Sequence, residues 1–528
     1  MRSRTAAILA VLVVFLAGIS GFAQTGEKMP DETRKGLGLD VARDDPLGLR
    51  WLVLHMPKGA DLDYHLSGAV YAESYIRNAI EDRLCVDLVS YSLSRPMAGA
   101  VRAPVCGKGW VPAARAYQDP KIYDAMVSAF SLRAFVPSAG ISVHDHFVDA
   151  FRKFAPVDFR HLGEWLDEAA SRAAAQNEQY LEVSTPIGVN HTAAISKKTG
   201  WTEDFSKLRE KMLNAGLRGD VAAATALLDN AENLRRQREH CGGPGEAVQN
   251  PKDYWLTPPC KVLIRYLYEI DRDNPKELVF AQALLGFEIA SGDARVVGIN
   301  LAGHEDSYTS MRDYELQMKM IGFLHGLYPK IHISLHAGDL VPGSVPPEER
   351  CCHVRLAMKV GQAQRIDNGA DIMFEYRPHN LMREEIIAKH AVVALTLTGN
   401  AAVMGVSGKN HALPTYLMMG PPLTISTGDE GVLRTDITHE YVVAFTDYGL
   451  HYVDLKKMVR TSMEHTFLPG ESLWAKPDKF DVSVGACVRD KLGAKDPSAE
   501  CGAFLQSSEK ARQQWELERR LQVFEADP

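Results

Sequence analysis

The chain has 528 residues, 46% of them hydrophobic and 24% charged, with a formal net charge of −8. This is ordinary globular composition, enough for one large core with embellishments or several smaller domains. The negative balance argues against non-specific nucleic-acid binding and suits a soluble protein.

In chain order, the first element is an export signal. Arg2 and Arg4 form a positive n-region, Ala6 to Ala17 an apolar stretch, and Gly21-Phe22-Ala23 a small-x-small cleavage site. This pattern predicts cleavage near Ala23 and a periplasmic or extracellular product. The alternative is an uncleaved anchor, since Thr5 to Ala23 is almost long enough to span a bilayer. No later segment has that length and apolarity, so no membrane contact is expected after cleavage. Residues 24–46 are polar and are expected to form a mobile lead-in.

From Leu47 onward, apolar runs of strand length alternate with helical patterns. Leu47–His55 is expected to be a short helix. Strands are expected at Ala60–Tyr64, Tyr180–Ser184, Val262–Tyr266, Val296–Leu301, Ile331–Leu335, Arg365–Ile366, Val392–Leu397 and Leu423–Ser426. Between them, helices are expected over Asp204–Glu239, Lys276–Ala290, Ser310–Leu327, His353–Val360 and Asp436–Tyr448. Strand alternating with helix implies a parallel sheet, and about eight such units imply an α/β fold, the (β/α)8 TIM barrel, over residues 47–475. A long insertion, residues 85–160, follows the first strand and its helix. A tail, residues 476–528, ends in a charged helix over Ser507–Glu525, whose charges are most simply a solvated face. No internal repeat is present.

Eight cysteines in an exported chain suggest disulfides. They form local groups: Cys85 with Cys106, Cys241 with Cys260, Cys487 with Cys501, and the adjacent Cys351 and Cys352. Connectivity stays open at this level, and no paired CxxC points to a structural zinc cluster.

Several strand candidates end in polar, metal-capable or glycine residues. The first is Met56-Pro-Lys-Gly-Ala-Asp-Leu-Asp-Tyr-His-Leu-Ser-Gly-Ala69, in which alternation puts Asp63 and His65 on one face at the barrel mouth. The others are "VVGINLAGHED" from Val296 through Asp306, Ser334-Leu-His-Ala-Gly-Asp339, Arg365-Ile-Asp-Asn-Gly-Ala-Asp371 and Ile425-Ser-Thr-Gly-Asp-Glu-Gly431. In this order and with these flanking residues, they resemble the metal-site segments of the adenosine deaminase family, in its secreted, growth-factor-like branch. The resemblance covers about Leu47 to Trp474, with the insertion only partly included.

The resemblance implies a barrel-mouth site for one zinc ion and hydrolytic deamination of adenosine or a related amino-purine nucleoside by zinc-activated water. It implies metal ligands at Asp63, His65 and His336, where Asp63 stands in place of the first histidine of His-x-His. It implies substrate contacts from Ser67, Gly303 and Asp429, and catalytic positions at Asp339, Asn368 and Asp429. Asp339 replaces a proton-donating glutamate, and losing one methylene withdraws its carboxyl by about 1 Å, a displacement that can cost on the order of 10²-fold. Asn368 replaces a histidine that orients the attacking water, and an amide offers no titratable proton. Gly428 replaces an aspartate ligand and has no side chain to bind metal.

These departures leave an alternative: a pseudoenzyme that keeps a purine-nucleoside pocket without turnover. A third reading is a barrel that serves only as a partner-binding surface. A homodimer is also considered. Val143-His-Asp-His-Phe147 offers a second histidine pair. Phe147, Phe151 and Phe154 recur at helical spacing, however, which favours the polar start of a helix over the pocket. His353, next to Cys351 and Cys352, is expected to begin a helix too.

Overall fold

Eight runs of buried, alternating or β-branched residues form the parallel strands of a single sheet. They are β1 Gly59–His65, β2 Glu178–Thr185, β3 Leu263–Asp271, β4 Val296–Ala302, β5 His332–Ala337, β6 Arg365–Asn368, β7 Val392–Leu395 and β8 Leu423–Ile425. Each pairs with its neighbour in chain order. The computed structural model describes residues 29–97, 105–138, 140–187, 191–241, 258–375 and 379–527. The export signal therefore lies outside the described residues.

The sheet curls back on itself. Just past β8, Gly428 donates its N–H to Asp63 O at 2.9 Å and accepts from His65 N at 3.1 Å, joining the last strand's exit to β1. With a helix following most strands, this is a (β/α)8 barrel. Both faces of β1, β2 and β4 are buried, as a parallel sheet covered by helices requires. Inside the barrel, Arg365 and Glu182 are fully buried and paired at 2.8 Å. Glu182 also accepts from Tyr180 Oη and from Phe467 N, at 2.8 and 2.6 Å. Such a buried pair is costly unless its remaining polar atoms are satisfied, and those two donors satisfy one Glu182 oxygen.

Three expectations need correction. The single helix expected over Asp204–Glu239 is two, Phe205–Asn214 and Arg218–Arg238. Gly216 between them has φ +101°, a backbone conformation that ends a helix and that a side chain would resist. The lead-in is not without structure: Asp31–Val41 is a helix with Leu39 fully buried. Its polar residues clasp the far end of the chain, with Arg34 donating to Glu525 O at 3.1 Å and Glu32 3.2 Å from Lys456. The tail helix, Glu509–Ala526, is more than a solvated face. Leu517, Leu521 and Phe524 pack into the core, and Glu518 takes both arms of the Arg460 guanidinium at 2.7 Å.

The insertion carries three short antiparallel strands, Cys85–Asp87, Leu93–Ser94 and Trp110–Pro112, and the helix Val143–Phe154. Cys85 pairs with Cys106, Cys241 with Cys260, Cys487 with Cys501, and Cys351 with Cys352. Among the described residues no helix is long and apolar enough to cross a membrane.

Candidate active site

Side chains at the C-terminal ends of the strands converge on one cavity of about 580 Å³. Asp63 and His65 reach it because they are two residues apart on β1 and so share a face. His336 arrives from the end of β5, with Asp339 in the loop beyond it. Asn368 ends β6, Ser67 follows β1, Gly303 follows β4, and Gly428 and Asp429 follow β8; all line the same cavity. The loop after β8 is held in place by Asp61, whose Oδ2 accepts from Thr427 N at 3.0 Å and Thr427 Oγ1 at 2.6 Å.

Within the cavity, Asp63, His65 and His336 form a cluster that could hold a metal ion. Asp63 Oδ1 lies 3.2 Å from His65 Nε2 and 3.3 Å from His336 Nε2. The two Nε2 atoms are 2.8 Å apart. Each ring also meets a carboxylate at its other nitrogen: Glu269 Oε2 is 3.0 Å from His65 Nδ1, and Asp339 Oδ2 is 3.1 Å from His336 Nδ1. A carboxylate at Nδ1 favours the tautomer with its proton there, leaving Nε2 a bare lone pair. Two bare ring nitrogens at 2.8 Å need a cation or a proton between them. Asp63 tells the same story, because both its oxygens are buried without a good hydrogen-bond donor. The three residues thus suit a divalent metal such as zinc, which takes imidazole nitrogen and carboxylate oxygen.

The electrostatics follow from this crowding. Burial penalises a charged Asp63, but His336 and His65 outweigh it and hold the carboxyl well below its usual range. Burial also works against a charged His336, yet Asp63 and Asp339 lift it to about 10. Asp429 goes the other way, raised by burial to about 6 even though His65 partly offsets the shift.

Over the cavity runs the helix Val143–Phe154. It starts with a reciprocal cap between Ser142 and Asp145 and buries Phe154 against the Tyr75 ring at 4.1 Å. Phe147 and Phe151 face the cavity. The two histidines of this segment diverge: His146 contacts the Ser128 and Ser131 carbonyls at 3.1 Å, while His144 is 3.6 Å from Asp306. They form no ligand pair. His353 begins the helix His353–Lys359 and pairs with Glu305.

Residues 260–476 match the family model described as adenosine deaminase. That segment is adenosine-deaminase-like. Among curated relatives, it is similar to an N6-mAMP deaminase of Arabidopsis thaliana. The two are 23% identical over 343 residues, covering 61% of this chain and 80% of the relative. It is also similar to an adenosine deaminase of Escherichia coli (strain SE11), 29% identical over 149 residues, covering 28% of this chain and 41% of that protein. Solved structures similar to it include the Arabidopsis N6-mAMP deaminase, at 16% identity and TM-score 0.48 over 79% of this chain and 95% of that one. Another is a Burkholderia ambifaria amidohydrolase with bound Zn, at 14% identity and TM-score 0.48, covering 80% and 88%.

Within this deaminase-like segment the substituted positions have clear local settings. Asn368 takes φ +77°, a left-handed conformation that asparagine tolerates better than most residues, and its Oδ1 is 3.4 Å from Thr396 Oγ1. The shorter Asp339 turns back onto His336 Nδ1, and its backbone N–H is held by Glu305 Oε2 at 2.7 Å. At Gly428 a Cβ would approach only Thr396 Cγ2, at 3.2 Å.

The sequence reading missed Glu269. The signal that could have found it is parity: Glu269 and Asp271 stand two apart at the C-terminal end of β3, as Asp63 and His65 do on β1.

Proposed function

We propose that this barrel mouth holds one zinc ion and an amino-purine nucleoside, and that the chain is a hydrolase that deaminates adenosine or a close relative with a remodelled site. The observation that carries this reading is the meeting of the Asp63 carboxylate with His65 Nε2 and His336 Nε2. Zinc held by those three residues supplies Lewis acidity and makes water acidic enough to react near neutrality.

The chain's own residues supply the rest. Asn368 cannot take a proton, but its amide orients a water molecule by hydrogen bonding. Asp429 lines the same cavity beside the cluster and is the carboxylate placed to accept that water's proton. Asp339 Oδ1 has no hydrogen-bond partner, while Oδ2 holds His336. Oδ1 is therefore the atom of this side chain left to meet a purine ring nitrogen. Phe147 and Phe151 offer apolar faces for the base and exclude water above it. Ser67 offers a hydroxyl to the sugar, and Gly303 lets the backbone approach the ring. The export signal at residues 1–23 and the four cysteine pairs support a location outside the cytoplasm.

A second reading draws on Asn368 and Gly428, which remove a titratable base and a carboxylate ligand. On that reading the pocket binds a purine nucleoside without turnover. Metal analysis and adenosine turnover on the full exported chain separate the two. About one zinc per chain with conversion of adenosine to inosine is expected. Zinc-free protein that is thermally stabilised by inosine would support the binder instead. Neither zinc nor any nucleoside-dependent stabilisation would overturn both.

A further inference from the structure

A carboxylate on β3 does work at this site that neither the metal-binding triplet nor the purine contacts account for. Glu269 lies across two strand boundaries from His65. β1 pairs with β2 at His65 and Ser184, and β2 with β3 at Ser184 and Leu267. Leu267, Glu269 and Asp271 alternate onto one face, and Glu269 and Asp271 both line the cavity.

The Glu269 carboxylate accepts the His65 Nδ1 proton at 3.0 Å through Oε2. The same oxygen accepts from Ser184 Oγ at 3.2 Å, which fixes the carboxylate from behind. The far side of the imidazole, Nε2, is the atom within 3.2 Å of Asp63 and 2.8 Å of His336 Nε2. The ring thus has a held edge and a working edge. His336 is arranged alike, with Asp339 at its Nδ1. Asp339 comes from the loop that directly follows the strand carrying His336, three residues away, whereas Glu269 comes from a different strand than His65.

We propose that Glu269 is the positioning residue for His65: by accepting its Nδ1 proton it fixes the tautomer and ring angle that aim Nε2 at the metal site. This rests on the reading that Asp63, His65 and His336 hold zinc. Outer carboxylates of this kind orient a ligating imidazole and raise its basicity, and losing one typically weakens metal binding 10–100-fold. The arrangement also offsets the loss of a carboxylate at Gly428. With one fewer direct ligand, affinity depends more heavily on how well the remaining ones are aimed.

The test is zinc affinity of the full chain, measured by competition with a chromophoric chelator, for the wild type, Glu269→Gln and Glu269→Asp. Thermal unfolding of the metal-free proteins is measured in parallel. Glu269→Gln is isosteric and should bind zinc 10–100-fold more weakly while its metal-free unfolding midpoint stays within a few degrees. Glu269→Asp, which keeps the charge but shortens the reach, should recover part of the loss. Zinc affinity of Glu269→Gln within twofold of wild type overturns the inference and leaves the proposed function standing. So does a variant whose metal-free midpoint falls sharply while affinity per folded chain is unchanged, because that marks a structural role. Wild-type protein that takes up no zinc overturns the inference and the metal reading together.

Discussion

Restoring a carboxylate at the exit of β8 should tighten the metal site, and the cost of doing so can be worked from the local geometry. Gly428 has φ +64°, and its backbone is fixed by hydrogen bonds to Asp63 O and from His65 N. A side chain there must adopt the left-handed region, which costs roughly 1–2 kcal/mol, with aspartate at the lower end. The added Cβ would meet only Thr396 Cγ2, at 3.2 Å, a contact a small movement relieves. Gly428→Asp should therefore fold with about 1 kcal/mol less stability, a loss of no more than about 4 °C in unfolding midpoint for a chain this long. The gain is a second carboxylate beside a cluster that already places two imidazole nitrogens against one buried acid. Zinc should bind at least about tenfold more tightly, equivalent to about 1.4 kcal/mol. Chelator competition on metal-stripped protein measures this. Gly428→Ala is the control, since it carries the same backbone strain and Cβ contact without the charge. If the aspartate variant folds and its affinity equals that of the alanine variant, β8 does not deliver its side chain to the Asp63, His65 and His336 cluster, and the assignment of the site is wrong.

Other outcomes follow from the same structure. Glu182→Gln would put a neutral amide in place of the charged 2.8 Å partner of the fully buried Arg365, leaving Asp367 at 3.3 Å as its remaining ion pair, and should destabilise the fold by about 3 kcal/mol, measured by denaturant unfolding. Burial lowers His411 to about 4 from 6.5. Its Nδ1 accepts from Leu413 N at 3.0 Å and its Nε2 faces the Asn400 amide at 2.8 Å. The stability tied to its neutral form is complete above pH 6.5 and drains as pH falls through about 4, a loss of about 3 kcal/mol. Against His411→Asn, wild type should show that much extra loss between pH 7 and 4; parallel curves would refute it. Among the described residues, the cavity is lined by eight carboxylates and a single guanidinium, that of Arg152. Inosine should therefore stabilise the protein more than inosine monophosphate does at equal concentration, and the reverse order in a thermal-shift titration would refute that charge argument.

The barrel was legible because most of its strands, three to nine residues long, centre on apolar residues and are bounded by polar or glycine residues; β6, Arg-Ile-Asp-Asn, was the hardest to read because Ile366 is its one apolar residue. The site was legible where two side chains share a strand face, as Asp63 and His65 do. It was illegible where a contact crosses strands. Nothing near Glu269 in sequence says that its carboxylate reaches a histidine 204 residues earlier. The polar helix at Asp31–Val41 escaped notice for a related reason. Its ordering comes from partners such as Glu525, at the opposite end of the chain. The composition of the tail helix likewise suggested solvent, because Glu518 meets Arg460 and not water.

The hydrogen bonds through Gly428 carry one more implication. They are the seam of the barrel, and they run from the backbone of the very residues whose side chains form the ion cluster. Any fluctuation that unzips the first strand from the last must also spread that cluster, and anything that cements the cluster must also lock the staves together. Exchange of the His65 and Gly428 amides with deuterium should therefore slow when zinc is added, before any other part of the barrel responds.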